Sequence, residues 1–307
     1  MALAEAISSS LQIPTTLIWR MARKASKAYM QYRILKKNGE YRLIHHPSRP
    51  LKALQRWLLR NIISQWPVHN AAFAYRQNRG IKGNASSHVK SRYLLRMDFE
   101  DFFPSITSED IDFYLKRKPP GTEDWIDEDR DLFLRIVCRQ QRLTIGAPTS
   151  PALSNALCYE LDCRLTSRSS TENVVYTRYA DDLFFSTVGK DILASFPPIV
   201  IQEVKSLQCP ANLKVNIAKT RHSSKKGRRR VTGLVLTSDG RISLGRSRKR
   251  YIRRQIHLLN QLSLKERGQL AGLIAYAMSI EPGIIKALIQ KFGPNRVAEA
   301  RNCSKSP

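Results

Sequence analysis

Apolar positions along this chain fall into short blocks, some alternating with a period of two and some recurring at helical spacing, so strands and helices are interleaved. Residues 173–186 read Asn-Val-Val-Tyr-Thr-Arg-Tyr-Ala-Asp-Asp-Leu-Phe-Phe-Ser, two adjacent carboxylates between runs of β-branched and aromatic residues. Val174, Val175, Tyr176 and Thr177 on one side and Leu183, Phe184 and Phe185 on the other are strand formers, which predicts a hairpin with Asp181 and Asp182 at its tip. Residues 93–97 are a short, mostly apolar run that predicts a buried strand delivering Asp98 at its end.

Other blocks predict further elements. Residues 1–36 read as a helical lead-in, with Leu17, Ile18 and Met21 as its apolar face. Asn38-Gly39 is a two-residue turn signal between strands at 32–36 and 41–45. After a turn at 47–50, residues 51–66 predict an amphipathic helix with Leu51, Leu54, Leu58 and Ile62 on one face and Lys52, Arg56 and Arg60 on another. Residues 146–151, Gly-Ala-Pro-Thr-Ser-Pro, form a tight loop entering a helix. Residues 192–207 predict a helix interrupted at Pro197-Pro198, and residues 213–217 alternate as a strand. In the last helices Ile252, Ile256 and Leu259 form the core face, with arginines outside.

Two like charges side by side repel unless a cation sits between them, and a divalent metal is the usual one. If the Asp98 strand lies beside the hairpin, three carboxylates converge in a site suited to two Mg²⁺ ions, one activating an attacking hydroxyl and one steadying a leaving pyrophosphate. That is the chemistry of a template-directed polymerase. Asp101 is placed to cap a helix beginning near Pro104. His45 and His46, adjacent on a strand, would point opposite ways and would not chelate one metal together.

Charge narrows the partners. The 307 residues carry 52 Lys and Arg against 25 Asp and Glu, a net charge of +27 that calls for a polyanion, nucleic acid or an anionic membrane. No apolar run approaches the ~20 residues needed to span a bilayer. The first fourteen residues lack a secretory pattern, so a cytoplasmic protein with no membrane partner is expected. Cys138, Cys158, Cys163, Cys209 and Cys303 show no paired spacing, which suggests neither a disulfide framework nor a zinc site. The acidic run Glu123, Asp124, Asp127, Glu128, Asp129 and Asp131 falls on several helix faces and predicts a surface helix turned away from nucleic acid. Basic residues crowd 219–254, where only Asp239 opposes them.

Tyr179-Ala180-Asp181-Asp182, the Asp98 segment, the loop 146–151 and Val231-Thr232-Gly233-Leu234 stand in the order and spacing of reverse transcriptases, and the chain resembles their bacterial retron branch over residues 41–255. Asn84-Ala85-Ser86-Ser87-His88 and Val231-Thr232-Gly233 resemble signatures of that branch. The resemblance implies an α+β right-hand polymerase, with a lead-in at 1–36, fingers and palm at 37–235 and a basic helical thumb at 236–307. It implies RNA-templated DNA synthesis from deoxynucleoside triphosphates on two Mg²⁺ ions held by Asp98, the Phe99 carbonyl, Asp181 and Asp182.

In such an enzyme Arg42 is the candidate for bridging triphosphate oxygens, Lys52 is the candidate of its helix stripe, and the small residue Gly146 lets the backbone approach a base pair. Phe103 stands where the family carries a steric gate against a ribose 2′-hydroxyl, and Lys219 where a lysine neutralises pyrophosphate. Thr232 and Gly233 match the primer grip, Arg250 and Arg254 would grip a duplex, and Asn84 and His88 would help to recognise a structured RNA. Ile145 departs from the family's glutamine before the glycine. The branch further implies a dedicated non-coding RNA as template and primer, priming from a 2′-hydroxyl, and phage defence with a separately encoded effector protein. Two other readings stay open: a group II intron-like or diversity-generating reverse transcriptase, and a non-catalytic RNA-binding protein.

Overall fold

The computed structural model describes residues 2–35 and 39–302. Asn38 of the expected turn, Cys303 and the tail 303–307 lie outside the described residues. Helices Leu3–Leu11 and Thr15–Arg23 lead into strand β1, Tyr29–Leu35, which pairs antiparallel with β2, Tyr41–Pro47, placing Leu35 opposite Tyr41. The first strand thus begins inside the segment 1–36, where the sequence predicts a helical lead-in. Helix Arg49–Asn61 buries Leu51, Leu54 and Leu58 as the spacing predicts. It also buries Gln55, whose Nε2 donates to the Tyr29 hydroxyl at 2.8 Å and to the Ile136 carbonyl at 2.9 Å.

The central sheet is antiparallel, with strands β3 (Tyr93–Asp98), β4 (Val175–Tyr179), β5 (Asp182–Thr187) and β6 (Arg221–Ser224) in the order β4-β5-β3-β6. Register decides which residues share a face, because directly opposed side chains point the same way. Leu95, Met97, Leu183 and Phe185 pack into one core with Leu153, Leu161 and Val200 of the covering helices. Leu94 and Phe184, pointing the other way, join a second core with Ala85, Val231, Leu234, Ile252, Ile256 and Ile274. Burial on both faces is why the run Leu183-Phe184-Phe185 does not alternate with polar residues. A small sheet of β7 (Arg229–Val231), β8 (Leu234–Leu236) and β9 (Ile242–Ser243) follows, then helices Arg246–His257, Leu264–Ile280, Ile284–Phe292 and Pro294–Asn302.

Several local expectations are corrected. Residues 213–217 are not a strand: the Asn216 N–H donates to the Asp98 carbonyl at 2.7 Å in a single bridge of Val215 to Phe99, and the pairing stops there because the Asn216 side chain caps the turn that ends at Lys219. Pro197 and Pro198 do not interrupt a helix but open one, Phe196–Lys205, in whose first turn a missing N–H goes unneeded. Asp101 precedes helix Phe102–Ser105 in a left-handed conformation and makes no side-chain cap bond. Asp129 of the acidic run is buried, accepting the Leu3 N–H at 2.6 Å and the Ile126 N–H at 3.2 Å, so it ties the amino-terminal helix to Asp127–Val137.

Arg178 in β4 is fully buried on the first-core face. Its Nε donates to Asp162 Oδ1 at 2.9 Å and its Nη2 to Asp162 Oδ2 at 2.7 Å, a two-pronged pair that the Tyr176 hydroxyl joins at 2.8 Å. Burial pulls the Arg178 pKa down, and Asp162 more than offsets this, holding the guanidinium charged. Removing one partner of such a pair strands a charge in the core. Asp162→Asn is therefore expected to lower unfolding stability by about 3–5 kcal/mol in urea titrations, and the paired exchange Asp162→Leu with Arg178→Met to cost less. A single-variant loss below about 1 kcal/mol would mean that the pair behaves as a solvated one.

Candidate active site

The carboxylate hairpin is built by backbone constraint. Between β4 and β5 the turn passes through Ala180, whose φ is 57°, and its carbonyl accepts from Arg178 Nη1 at 3.3 Å. Asp182 is then the first residue of β5, directly opposite Asp98 at the end of β3. The Phe99 N–H donates to the Asp181 carbonyl at 3.1 Å, which locks the turn to the next strand.

Side-chain charge around these groups is already balanced. Lys219 Nζ donates to Asp98 Oδ1 at 2.8 Å, and this bond raises the lysine's pKa. Arg96, on the same sheet face, donates to Asp182 Oδ1 from Nε at 3.0 Å and from Nη2 at 2.7 Å. Burial is the main cause that raises the Asp181 carboxyl, the Asp98 charge adds to it, and Arg42 and Lys219 oppose it. Burial also lifts Asp182 to about 6, against the pull of Arg96.

The register thus brings the three carboxylates to one end of the sheet, but among the described residues no three His, Cys, Asp or Glu side chains form a ready metal cluster. The donor chemistry still fits a hard divalent ion: the groups are carboxylates, and the burial that raises Asp181 and Asp182 is a cost that a cation relieves.

Around this centre the expected nucleotide contacts are placed unequally. Arg42 is exposed on β2 and close enough for its charge to act on Asp181 and Tyr75. Phe103 is half-buried and faces the Tyr75 ring. Lys52 is half-buried in the first turn of its helix, and Lys219 is exposed. Gly146 has φ 113°, and a Cβ there would stand 2.4 Å from the His45 carbonyl oxygen. Its close approach is therefore to the finger strand, which the His45 N–H also ties to the Ile145 carbonyl at 2.8 Å. His45 itself packs there, its Nδ1 at 2.8 Å from Thr144 Oγ1.

Asn84 and His88, expected to help recognise RNA, are both completely buried behind the hairpin, which rules out direct contact. Thr177 Oγ1 donates to Asn84 Oδ1 at 2.5 Å, so its own oxygen receives the Nε2 proton of His88 at 2.7 Å. The neutral ring then accepts at Nδ1 from Ser186 Oγ at 2.7 Å, and Ser91 donates to Ser186 at 2.9 Å. Thr177 lies on β4 and Ser186 on β5, so this chain of bonds clamps the two strands that carry Asp181 and Asp182. Burial pushes the His88 pKa down to about 3.

Thr232 and Gly233 form the two-residue turn between β7 and β8, with φ of 47° and 79° as a primed hairpin turn requires. The Gly233 carbonyl accepts from Arg248 Nη1 at 3.3 Å, and Thr232 Oγ1 donates to the Ile81 carbonyl at 3.1 Å. Arg250 and Arg254 are exposed on helix Arg246–His257. Sequence reasoning missed Arg96, Arg178, Arg248 and Tyr75. The available signal was a charge inside a run of strand formers, which Arg96 and Arg178 both carry.

The fold and this carboxylate hairpin define a template-directed polymerase of the right-hand type. The reverse transcriptase (RNA-dependent DNA polymerase) family model matches residues 34–236. The chain is 37% identical over 271 residues to the retron Ec73 reverse transcriptase of Escherichia coli, covering 84% of this chain and 85% of that protein. It is 34% identical over 291 residues to the retron Ec83 reverse transcriptase of Escherichia coli, covering 90% of this chain and 91% of that one. The solved telomerase from Candida albicans, in complex with a fragment of telomeric RNA, superposes with a TM-score of 0.51 at 11% identity, over 92% of this chain and 62% of that longer chain. That likeness is one of fold alone. The chain belongs to the reverse transcriptase family, the RNA-directed DNA polymerases, and within it to the retron branch.

His88 yields a pH dependence. Its folded pKa of about 3 lies below its ordinary 6.5, so its contribution is fully present above pH 6.5 and is lost as pH falls toward 3. Stability should decline below pH 6.5 at up to about 1.4 kcal/mol per pH unit from this group. Urea titrations from pH 7.5 to 5 should show a shallower slope in His88→Asn; an unchanged slope would mean that the imidazole protonates within the fold.

Proposed function

We propose that this reverse transcriptase copies a dedicated, structured non-coding RNA into single-stranded DNA, primed from a 2′-hydroxyl of that RNA, so that the product stays covalently joined to it. The observation that carries the reading is the 37% identity, over 84% of this chain, to a protein named a retron reverse transcriptase. The division into a lead-in at 1–36, fingers and palm at 37–235 and a thumb at 236–307 belongs to the same reading. So do a cytoplasmic setting and a role in phage defence beside a separately encoded effector. Among the described residues no helix is long and apolar enough to cross a membrane.

On this reading Asp98, Asp181, Asp182 and the Phe99 carbonyl hold two Mg²⁺ ions, which when bound lower the pKa of the attacking hydroxyl and steady the departing pyrophosphate. Arg42, exposed and within electrostatic reach of Asp181, binds the triphosphate of the incoming deoxynucleotide with Lys52, and the loop at Gly146 holds the finger strand that carries Arg42. Lys219 neutralises charge beside Asp98, and Phe103 excludes a 2′-hydroxyl. Thr232 and Gly233 hold the primer end, and Arg250 and Arg254 grip duplex phosphates, which supplies affinity without sequence choice. Asn84 and His88 serve the RNA site indirectly, by fixing the hairpin.

Two experiments test the reading. The protein is purified from bacteria together with its neighbouring genomic DNA, and the bound nucleic acid is treated separately with RNase and DNase. A discrete single-stranded DNA joined to RNA is expected; RNA alone, with activity only on added primer and template, would point to another kind of reverse transcriptase. The double exchange Asp181→Asn with Asp182→Asn is expected to lower DNA synthesis by at least about a hundredfold while RNA stays bound.

A further inference from the structure

Tyr75 is the only aromatic residue with a positive φ, 61°, among the described residues. A bulky side chain is crowded in this left-handed conformation, which glycine or asparagine adopts readily. Such a conformation persists only where the surroundings impose it. Here they do: the Ala74 carbonyl accepts from Asn155 Nδ2 at 2.9 Å, the Phe73 N–H donates to the Arg178 carbonyl at 2.8 Å, and Arg76 Nη1 donates to the carbonyls of His69 at 3.0 Å and Ala72 at 3.3 Å. Asn155 also accepts from Arg178 Nη1 at 3.2 Å, so the segment bearing Tyr75 hangs on the residue that supports the turn before Asp181.

Core filling does not explain the ring, because Tyr75 is 52% exposed. It stands instead at the open end of a row of aromatics. Phe99 stacks on Phe102 at 5.7 Å, Phe102 meets Phe103 at 5.4 Å, and Phe103 meets Tyr75 at 6.3 Å with the rings inclined at 46°. Rings at this spacing and tilt attract each other beyond simple area burial. The site is close: burial first, then the charge of Asp181, raises the Tyr75 phenol, and Arg42 opposes this.

We propose that Tyr75 is a positioning residue for sugar selection, its ring closing the exposed side of Phe103 and holding that ring where a ribose 2′-hydroxyl would fall. The inference rests on the reading of Phe103 as the steric gate. Phe103 is half-buried and meets both Phe102 and Tyr75. Without Tyr75 the gate ring gains room to turn aside and admit one more oxygen. The contact is between the two rings, and no hydrogen bond joins them, so the Tyr75 hydroxyl is dispensable to it.

The test is single-nucleotide extension on a primed RNA template by the full-length protein, reading kcat/KM for a deoxynucleoside triphosphate against the matching ribonucleoside triphosphate. Phe103→Ala is the control that must raise relative ribonucleotide use. Tyr75→Ala is then expected to raise it by about tenfold, and Tyr75→Phe to keep the original ratio. Tyr75→Asn, which suits the backbone conformation, gives the same readout if the alanine variant melts early. The inference is overturned if Phe103→Ala shifts the ratio while Tyr75→Ala and Tyr75→Asn do not, or if Tyr75→Phe shifts it as far as alanine does. A Phe103→Ala variant that discriminates like the original overturns the gate reading itself, and the inference with it.

Discussion

A guanidinium buried without a counter-charge cannot be tolerated, and Arg178 meets that constraint with Asp162 across the first core. What makes this pair organise the molecule is where its other bonds go. One Nη reaches the Ala180 carbonyl in the strained turn before Asp181, and the same nitrogen reaches Asn155, whose amide holds Ala74. The main chain of Arg178 is bonded on both sides, to Ala71 and to Phe73. One buried cation therefore fixes the carboxylate turn, the loop carrying Tyr75 and the helix Ser150–Leu157 relative to one another. A hydrophobic pair of the same volume could stabilise the core equally well, yet would offer no donors to the turn.

The opposite face of the sheet is governed by a different economy of charge. Asp98 and Asp182 already have cationic partners in Lys219 and Arg96, while Asp181 feels positive charge from Arg42 and Lys219 without an ion pair of its own among the described residues. This arrangement lets the site persist as three nearby carboxylates without collapsing through repulsion. The two exposed cations differ in grip: Lys219 holds Asp98 through one donor, whereas Arg96 holds Asp182 with two donors on one oxygen.

Deeper on that face, the bonds from Asn84 through Thr177, His88 and Ser186 to Ser91 form a buried chain that joins β4 to β5. The chain's excess positive charge lies elsewhere, on exposed arginines such as Arg250 and Arg254, where contact with phosphates would be long-ranged and indifferent to sequence. The fold thus keeps two layers apart, a buried hydrogen-bonded frame behind the carboxylates and a solvated basic surface.

By itself the sequence determined the elements whose signals are local. Strand formers flanking Asp181 and Asp182, the apolar run ending at Asp98, and the inward faces at Leu51, Leu54, Leu58 and at Ile252, Ile256, Leu259 all emerged as expected, because periodicity and burial of one face are properties of neighbouring residues. The pairing of β3 with β5 stood in the sequence only as the condition for three carboxylates to converge, and the register meets it. Only the tertiary structure decided what depends on distant partners. Residues 213–217 alternate like a strand, yet they make one bridge, to Phe99, before Asn216 caps a turn. Asp129 looks like one more surface acid, yet it receives the Leu3 N–H from across the fold. Gly146 carries no local sign that the His45 carbonyl stands where its Cβ would be, and Tyr75 none of its strained backbone. In each case the deciding contact joins residues far apart in the chain, where hydrogen-bond satisfaction outweighs local propensity.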